Sequence, residues 1–173
     1  MSTDSTWYTM VASPIGELLL LSDGHALLGL SMQEGRHPIR IQPDWQPAQA
    51  PFAAVREQLT EYFAGSRTTF DVPLQMAGSP FQLRVWQALC DIPYGTTTSY
   101  GELARRVGKP SAARAVGLAN GQNPIAVIVP CHRVIGADGS LTGYGGGLDR
   151  KRFLLGLEGH ASAGDAPQLR LEV

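Results

Sequence analysis

Residues 127–136, Val-Ile-Val-Pro-Cys-His-Arg-Val-Ile-Gly, set a thiol, an imidazole and a guanidinium side by side between two apolar runs. A thiol with an unperturbed pKa near ~8.5 is only a few per cent thiolate at neutral pH, so nucleophilic work by Cys131 requires a nearby base or positive charge. His132 offers the base and Arg133 the charge. Neighbouring side chains on a strand point to opposite faces. The pair therefore shares a site only if the chain turns after Pro130 or a bridging water links the two groups. The alternative is that Cys131 is a small buried hydrophobe, and the dipeptide alone leaves both readings open. The other cysteine, Cys90, falls on the apolar face of a predicted helix and reads as packing.

Two more segments could carry chemistry. Glu158, in Leu-Leu-Gly-Leu-Glu-Gly-His, is either a surface carboxylate or one that holds a histidine ring. The run Gly-Tyr-Gly-Gly-Gly at 143–147 lacks the Lys-Ser/Thr of a P-loop and the spacing of a dinucleotide site. It reads as a wall around a flat ligand, with Tyr144 available for packing. Two cysteines are too few for a disulfide framework or a zinc knuckle, so no metal is expected. Free thiols suit a reducing cytoplasm, which is the expected location. No apolar run approaches the roughly 20 residues of a membrane span, and the first residues lack the basic and apolar regions of a signal peptide.

The formal net charge of −1 hides an asymmetry. Up to residue 78, four arginines face eight acidic residues; from 79 to 159, nine bases face five acids. A basic second half suggests a polyanionic partner for that half alone, although scatter in a neutral protein gives the same numbers.

The elements that must position these groups follow from pattern. Strands are expected near 7–12, 17–22 and 26–32, separated by Ser-Pro-Ile-Gly and Ser-Asp-Gly-His turns and forming an antiparallel meander. Residues 34–51, rich in Pro and Gln, read as loop. Phe52, Val55, Leu59, Tyr62 and Phe63 recur at helical spacing before Gly65. Residues 68–79 read as a short strand and a linker, with a domain boundary near 73–80. Phe81, Val85, Trp86, Leu89 and Cys90 share one face of a helix capped by Ser79. Two short helices follow, one capped by Ser99 or Thr98 and one by Ser111, joined by a Gly-Lys-Pro turn in helix-turn-helix outline. Residues 125–131 read as a buried strand or extended segment. A last helix ends near Glu158, and the tail 161–173 reads as loosely held.

The second helix of that motif is smooth. Ala112, Ala113, Ala115, Gly117 and Ala119 leave Arg114 as its one long basic side chain. Such a helix suits contact with backbone and shape rather than with base edges, and an ordinary packing helix has the same composition.

Taken together, Asn-Pro-Ile-Ala-Val-Ile-Val-Pro-Cys-His-Arg-Val-Ile-Gly, the preceding Ala-Ala-Arg-Ala-Val-Gly-Leu-Ala-Asn-Gly-Gln and the following Leu-Thr-Gly-Tyr-Gly-Gly-Gly-Leu-Asp-Arg-Lys-Arg-Phe-Leu-Leu-Gly-Leu-Glu-Gly closely resemble the O6-alkylguanine-DNA alkyltransferases, also called methylated-DNA–protein-cysteine methyltransferases. The Pro-Cys-His-Arg-Val motif is highly specific. The likeness is strong over 79–159 and looser in the first half, through Ser-Pro-Ile-Gly-Glu-Leu-Leu-Leu and Leu-Thr-Glu-Tyr-Phe-Ala-Gly.

The resemblance implies an α+β protein. A small N-terminal antiparallel sheet with a helix, ribonuclease-H-like, would occupy 1–76. A mostly helical domain with a helix-turn-helix would occupy 77–160. It implies a monomer without cofactor whose partner is duplex DNA carrying O6-alkylguanine or O4-alkylthymine, bound with little sequence preference. Cys131 would take the alkyl group and keep it, so each molecule would act once. His132 would draw the thiol proton through a water, Glu158 would orient the histidine, and Asn123 would hold the turn. Tyr100 would contact phosphate and donate toward the departing base. Arg114 would fill the stack left by the flipped nucleotide. Ser99, Ala113, Ala115 and Gly117 would line the DNA side. Tyr144 would wall the pocket, and backbone groups of Cys131, Val134 and Gly145 would meet the guanine edge.

The departures matter as well. Gly145 stands where some relatives have Ser, and Ala126 where some have a second Pro, so a roomier pocket for larger alkyl groups is expected. The N-terminal half has no cysteine for the structural zinc of some relatives, and the length argues against an added regulatory domain. Three rivals predict other behaviour. A redox-sensing regulator would bind symmetric half-sites as a dimer, a Cys-His hydrolase would turn over, and an inert damage binder would leave the alkyl group on DNA.

Overall fold

The computed structural model describes residues 5–160. Three strands, β1 (Trp7–Val11), β2 (Leu18–Ser22) and β3 (Leu27–Met32), form the expected antiparallel meander. The sheet is nevertheless mixed, because a two-residue strand β4 (Gln46–Pro47) pairs parallel to β1, giving the order β3-β2-β1-β4. Part of the segment read as loop is therefore an edge strand, which its Pro and Gln content concealed. β2 is buried along its whole length, so its four leucines cannot alternate with polar residues.

A 3-10 turn (Ala50–Phe52) leads into α1 (Ala53–Phe63), which buries Val55, Leu59 and Tyr62; Gly65 follows at φ 81°. In place of the strand expected in 68–79, only an isolated bridge from Leu74 to Leu27 forms.

The second half is built on helices. α2 (Pro80–Cys90) begins with a full capping box, in which Ser79 and Gln82 satisfy each other's backbone N–H. It buries Val85, Trp86 and Leu89, whereas Phe81 is half-buried. Cys90, read as packing, is exposed at the helix end, because the apolar stripe runs out one residue earlier.

The short strand β5 (Thr98–Ser99) precedes α3 (Tyr100–Arg106), which Ser99 caps through Glu102 N–H at 3.1 Å. Gly108, at φ 79°, ends this helix and lets Lys109 N–H reach the Ala104 carbonyl. α4 (Ala113–Gly121) follows without the expected Ser111 cap: its N-cap is Ala112, and no side chain caps it. Trp86 Nε1 donates to the Ala119 carbonyl at 2.8 Å and fixes α4 against α2.

The apolar segment 125–129 is not a strand. It is a buried turn held at the free edge of β3, where Leu30 N–H meets Pro124 O and Ala126 N–H meets Leu30 O. A one-turn 3-10 helix (Cys131–Arg133), the short strand β6 (Val134–Ile135) and α5 (Leu148–Leu157) complete the fold. One apolar cluster runs from β2 and α1 through α2 and α4 to the 125–129 turn and α5. The tail at 161–173 lies outside the described residues.

Candidate active site

The site begins with a strained turn. Val127 sits at φ 71°, an unfavourable region for a β-branched residue. Asn123 holds the turn from both sides: its Nδ2 donates to Val129 O at 2.7 Å, and its Oδ1 accepts from Ile125 N–H at 3.0 Å. The next residues wind into the 3-10 helix, so Cys131 and His132 depart to different sides of a tight bend. A turn after Pro130 is one of the two arrangements the sequence allows for a shared site.

Cys131 is 6% exposed and faces a cavity of about 640 Å³. Burial pushes its thiol pKa up, while the Asn123 side chain and the Lys151 charge oppose the rise. His132 is fully buried, and its Nε2 lies 2.7 Å from Glu158 Oε2. A carboxylate only accepts, so the imidazole proton sits on Nε2 and the lone pair on Nδ1, which has no protein partner. Burial holds the imidazole pKa below its ordinary value, against the pull of Glu158.

Glu158 ends α5, where a carboxylate meets the negative end of the helix. It is held there by Arg133, with Nε to Oε1 at 2.7 Å and Nη2 to Oε2 at 3.0 Å, and by the Tyr62 hydroxyl at 2.5 Å. Burial alone would raise the carboxyl pKa, but His132 and Arg133 bring it to about 2.

Behind the Gly-rich loop lies a buried lysine. Lys151 Nζ donates to the carbonyls of Val134 at 2.6 Å and Thr142 at 2.9 Å, and burial lowers its pKa to about 8.

The other expected residues fall on or near the cavity. Tyr100, Gly117, Asn123, Tyr144 and Gly145 line it. The Tyr100 hydroxyl is loosely tied to Thr142 by contacts of 3.3 and 3.4 Å. Arg114 and Ala115 are exposed on α4, Ala113 is half-exposed beside them, and Ser99 is occupied as a helix cap.

Val134 is fully buried, and its carbonyl accepts from Lys151 Nζ. The Cys131 N–H is likewise taken by Val129 O, because the 3-10 bend turns it inward.

Sequence reading missed five groups. Lys151 lies seven residues before Glu158, a spacing that shares a helix face, yet the Arg-Lys-Arg run hid it as surface charge. Tyr62 read only as core. Asn120 is buried beside the site with its Oδ1 unpartnered. Arg36 and His37, from the N-terminal half, also line the cavity, and no sequence signal pointed to them.

A buried thiol, a histidine–carboxylate pair and an open cavity flanked by the second helix of a helix-turn-helix define a cysteine-nucleophile protein on a DNA-binding scaffold. The chain belongs to the 6-O-methylguanine DNA methyltransferase family: its ribonuclease-like domain matches residues 6–76 and its DNA binding domain residues 80–160.

The methylated-DNA–protein-cysteine methyltransferase of Mycobacterium tuberculosis strain H37Rv is 57% identical over 152 residues, covering 87% of this chain and 91% of its own. That of Methanosarcina acetivorans is 51% identical over 153 residues, covering 88% and 98%. The crystal structure of Mycobacterium tuberculosis OGT in complex with DNA superimposes with a TM-score of 0.84 at 54% identity, covering 94% of this chain and 96% of that one. Among the described residues, no helix is long and apolar enough to cross a membrane.

Proposed function

We propose that this protein repairs O6-alkylguanine, and O4-alkylthymine, in duplex DNA by moving the alkyl group irreversibly onto Cys131. The observation that carries the reading is the buried relay from Glu158 to His132, whose Nδ1 has no protein partner, next in the chain to a buried thiol that lines an open cavity. The family membership and the likeness to a DNA-bound relative support it.

In the reaction, His132 Nδ1 takes the thiol proton, through a water, and the Glu158 carboxylate, held in place by Arg133, balances the imidazolium. The sulfur attacks the alkyl carbon, the S–C bond forms and the O6–C bond breaks. The electron pair leaves with the guanine, which takes a proton from the Tyr100 side. The thioether has no leaving group at ordinary pH, so one molecule performs one transfer. The cavity has room for a flipped base, and unpairing costs less at a damaged pair. Arg114 on the smooth face of α4 fills the vacated stack, while Ala113, Ala115 and Gly117 allow close approach without choosing a sequence. Gly145 and Tyr144 wall the base. The protein works as a monomer in the reducing cytoplasm.

Intact mass after incubation with a duplex carrying one O6-methylguanine tests the proposal. A gain of one methyl group, mapped to the Cys131 peptide and absent in Cys131→Ser, is expected. Tight binding without any gain would leave an inert damage binder instead.

A further inference from the structure

We propose that Tyr62, on helix α1 of the N-terminal half, is a positioning residue of the alkyl-transfer site, its hydroxyl fixing how strongly Glu158 holds His132. This rests on the reading of Cys131 as acceptor and His132 as its base.

A buried phenol usually finds a hydrogen-bond partner. Tyr62 donates to Glu158 Oε2, the same oxygen that receives His132 Nε2. Glu158 lies 96 residues further along the chain. The hydroxyl is aimed by packing: the Tyr62 ring stacks edge-on against Phe63 at 5.3 Å and Tyr94 at 6.3 Å, and tilts on Phe70 at 5.3 Å. The ring would therefore sit where it does without the carboxylate.

The groups facing Glu158 come from several elements. His132 and Arg133 approach from the 3-10 helix, Tyr94 from the loop after α2, and Tyr144 from the Gly-rich loop. The Tyr94 hydroxyl is committed to the Leu157 carbonyl, and Lys151 acts on His132 from within α5. Tyr62 is the contribution of the N-terminal half among the described residues. Burial and the Glu158 charge hold its phenol pKa well above the ordinary value, so it stays a donor throughout the working range.

Three donors, Tyr62, His132 and Arg133 Nη2, share the charge of this one oxygen. Removing the hydroxyl leaves more of that charge to His132 and raises the imidazole pKa. Protonated imidazole cannot take the thiol proton, so the acidic limb of the rate profile moves to higher pH. A hydrogen bond to a charged group is strong enough to move it by roughly half a pH unit or more.

The test compares single-turnover methyl transfer against pH, and the His132 ring titration by NMR, in wild type, Tyr62→Phe and Phe70→Leu. Phe70→Leu disturbs the same aromatic packing but leaves the hydroxyl bond. Both the limb and the His132 titration should move upward in Tyr62→Phe and stay in place in Phe70→Leu. An unmoved profile in a folded Tyr62→Phe, or equal movement in both variants, overturns the proposal. Fluorotyrosine at position 62 keeps the ring and strengthens donation, so it should move the limb downward. No movement there overturns the proposal even if Tyr62→Phe fails to fold. Failure of the wild type to transfer methyl at all would instead overturn the reading of Cys131, which the His132 titration does not depend on.

Discussion

Replacing Glu158 by Gln tests the relay most directly. The carboxylate is fully buried and accepts from His132, from two nitrogens of Arg133 and from Tyr62. An amide of the same shape brings its own N–H groups against those donors and leaves the Arg133 charge uncompensated. The drop in pKa from 4.5 to about 2 corresponds to roughly 3 kcal/mol of stability at neutral pH. Breaking a buried pair costs a similar amount, about 3–5 kcal/mol.

The folded-state pKa lies below the unfolded one, so this stabilisation is complete above pH 4.5 and is lost as pH falls through about 2. Urea denaturation of wild type and Glu158→Gln should therefore differ by about 3 kcal/mol at pH 7, and by less than half of that near pH 3. For a domain of this size the neutral-pH difference amounts to a melting shift of roughly 6–12 °C. A difference under about 1 kcal/mol at pH 7, or one that widens on acidification, would show that the carboxylate is not held by its buried partners.

Lys151→Met keeps the stem volume but removes the cation opposing the rise of the Cys131 pKa and the clasp on the Val134 and Thr142 carbonyls. Iodoacetamide labelling should report a higher Cys131 pKa, and amide exchange over residues 143–147 should accelerate. Asn123→Ala frees both ends of the strained 125–129 turn; methyl transfer should fall by about tenfold or more, as misplaced reacting groups typically cost, measured under single-turnover conditions. Arg114→Ala should slow transfer from a duplex far more than from a single-stranded oligonucleotide, because only the duplex stack needs filling. A Cβ at Gly145 would meet nothing within 4 Å, so this wall is open, and benzyl transfer should proceed at a rate comparable with methyl; no benzyl transfer would show that the room is not used.

The sequence made the acceptor motif, the smooth helix and the Glu158 carboxylate legible, because each depends on residues close together or on a specific pattern. The meander strands and the helices followed from pattern, and the α+β class from the resemblance. The 125–129 turn was not legible: Ile-Ala-Val-Ile-Val has strand composition, and only Asn123 and the free edge of β3 force it to bend. The parallel pairing of β4 with β1 joins segments almost 40 residues apart, which no local pattern encodes. Tyr62 and Lys151 were concealed for opposite reasons. One looked like any core aromatic and the other like any surface cation, and their roles come from what the fold sets against them.

The relay also has a bearing on when the thiol becomes reactive. Glu158 closes on Tyr62 across 96 residues, and Arg150 of the same helix closes on the Ile15 carbonyl across 135. Contacts at such separations form late, after their loop-closure entropy has been met, and synthesis delivers the N-terminal half first. A nascent chain with Cys131 already outside the ribosome still lacks α5, so His132 has no carboxylate to set its tautomer. The base that would draw the Cys131 proton is therefore set in place only when α5 docks against the 3-10 helix.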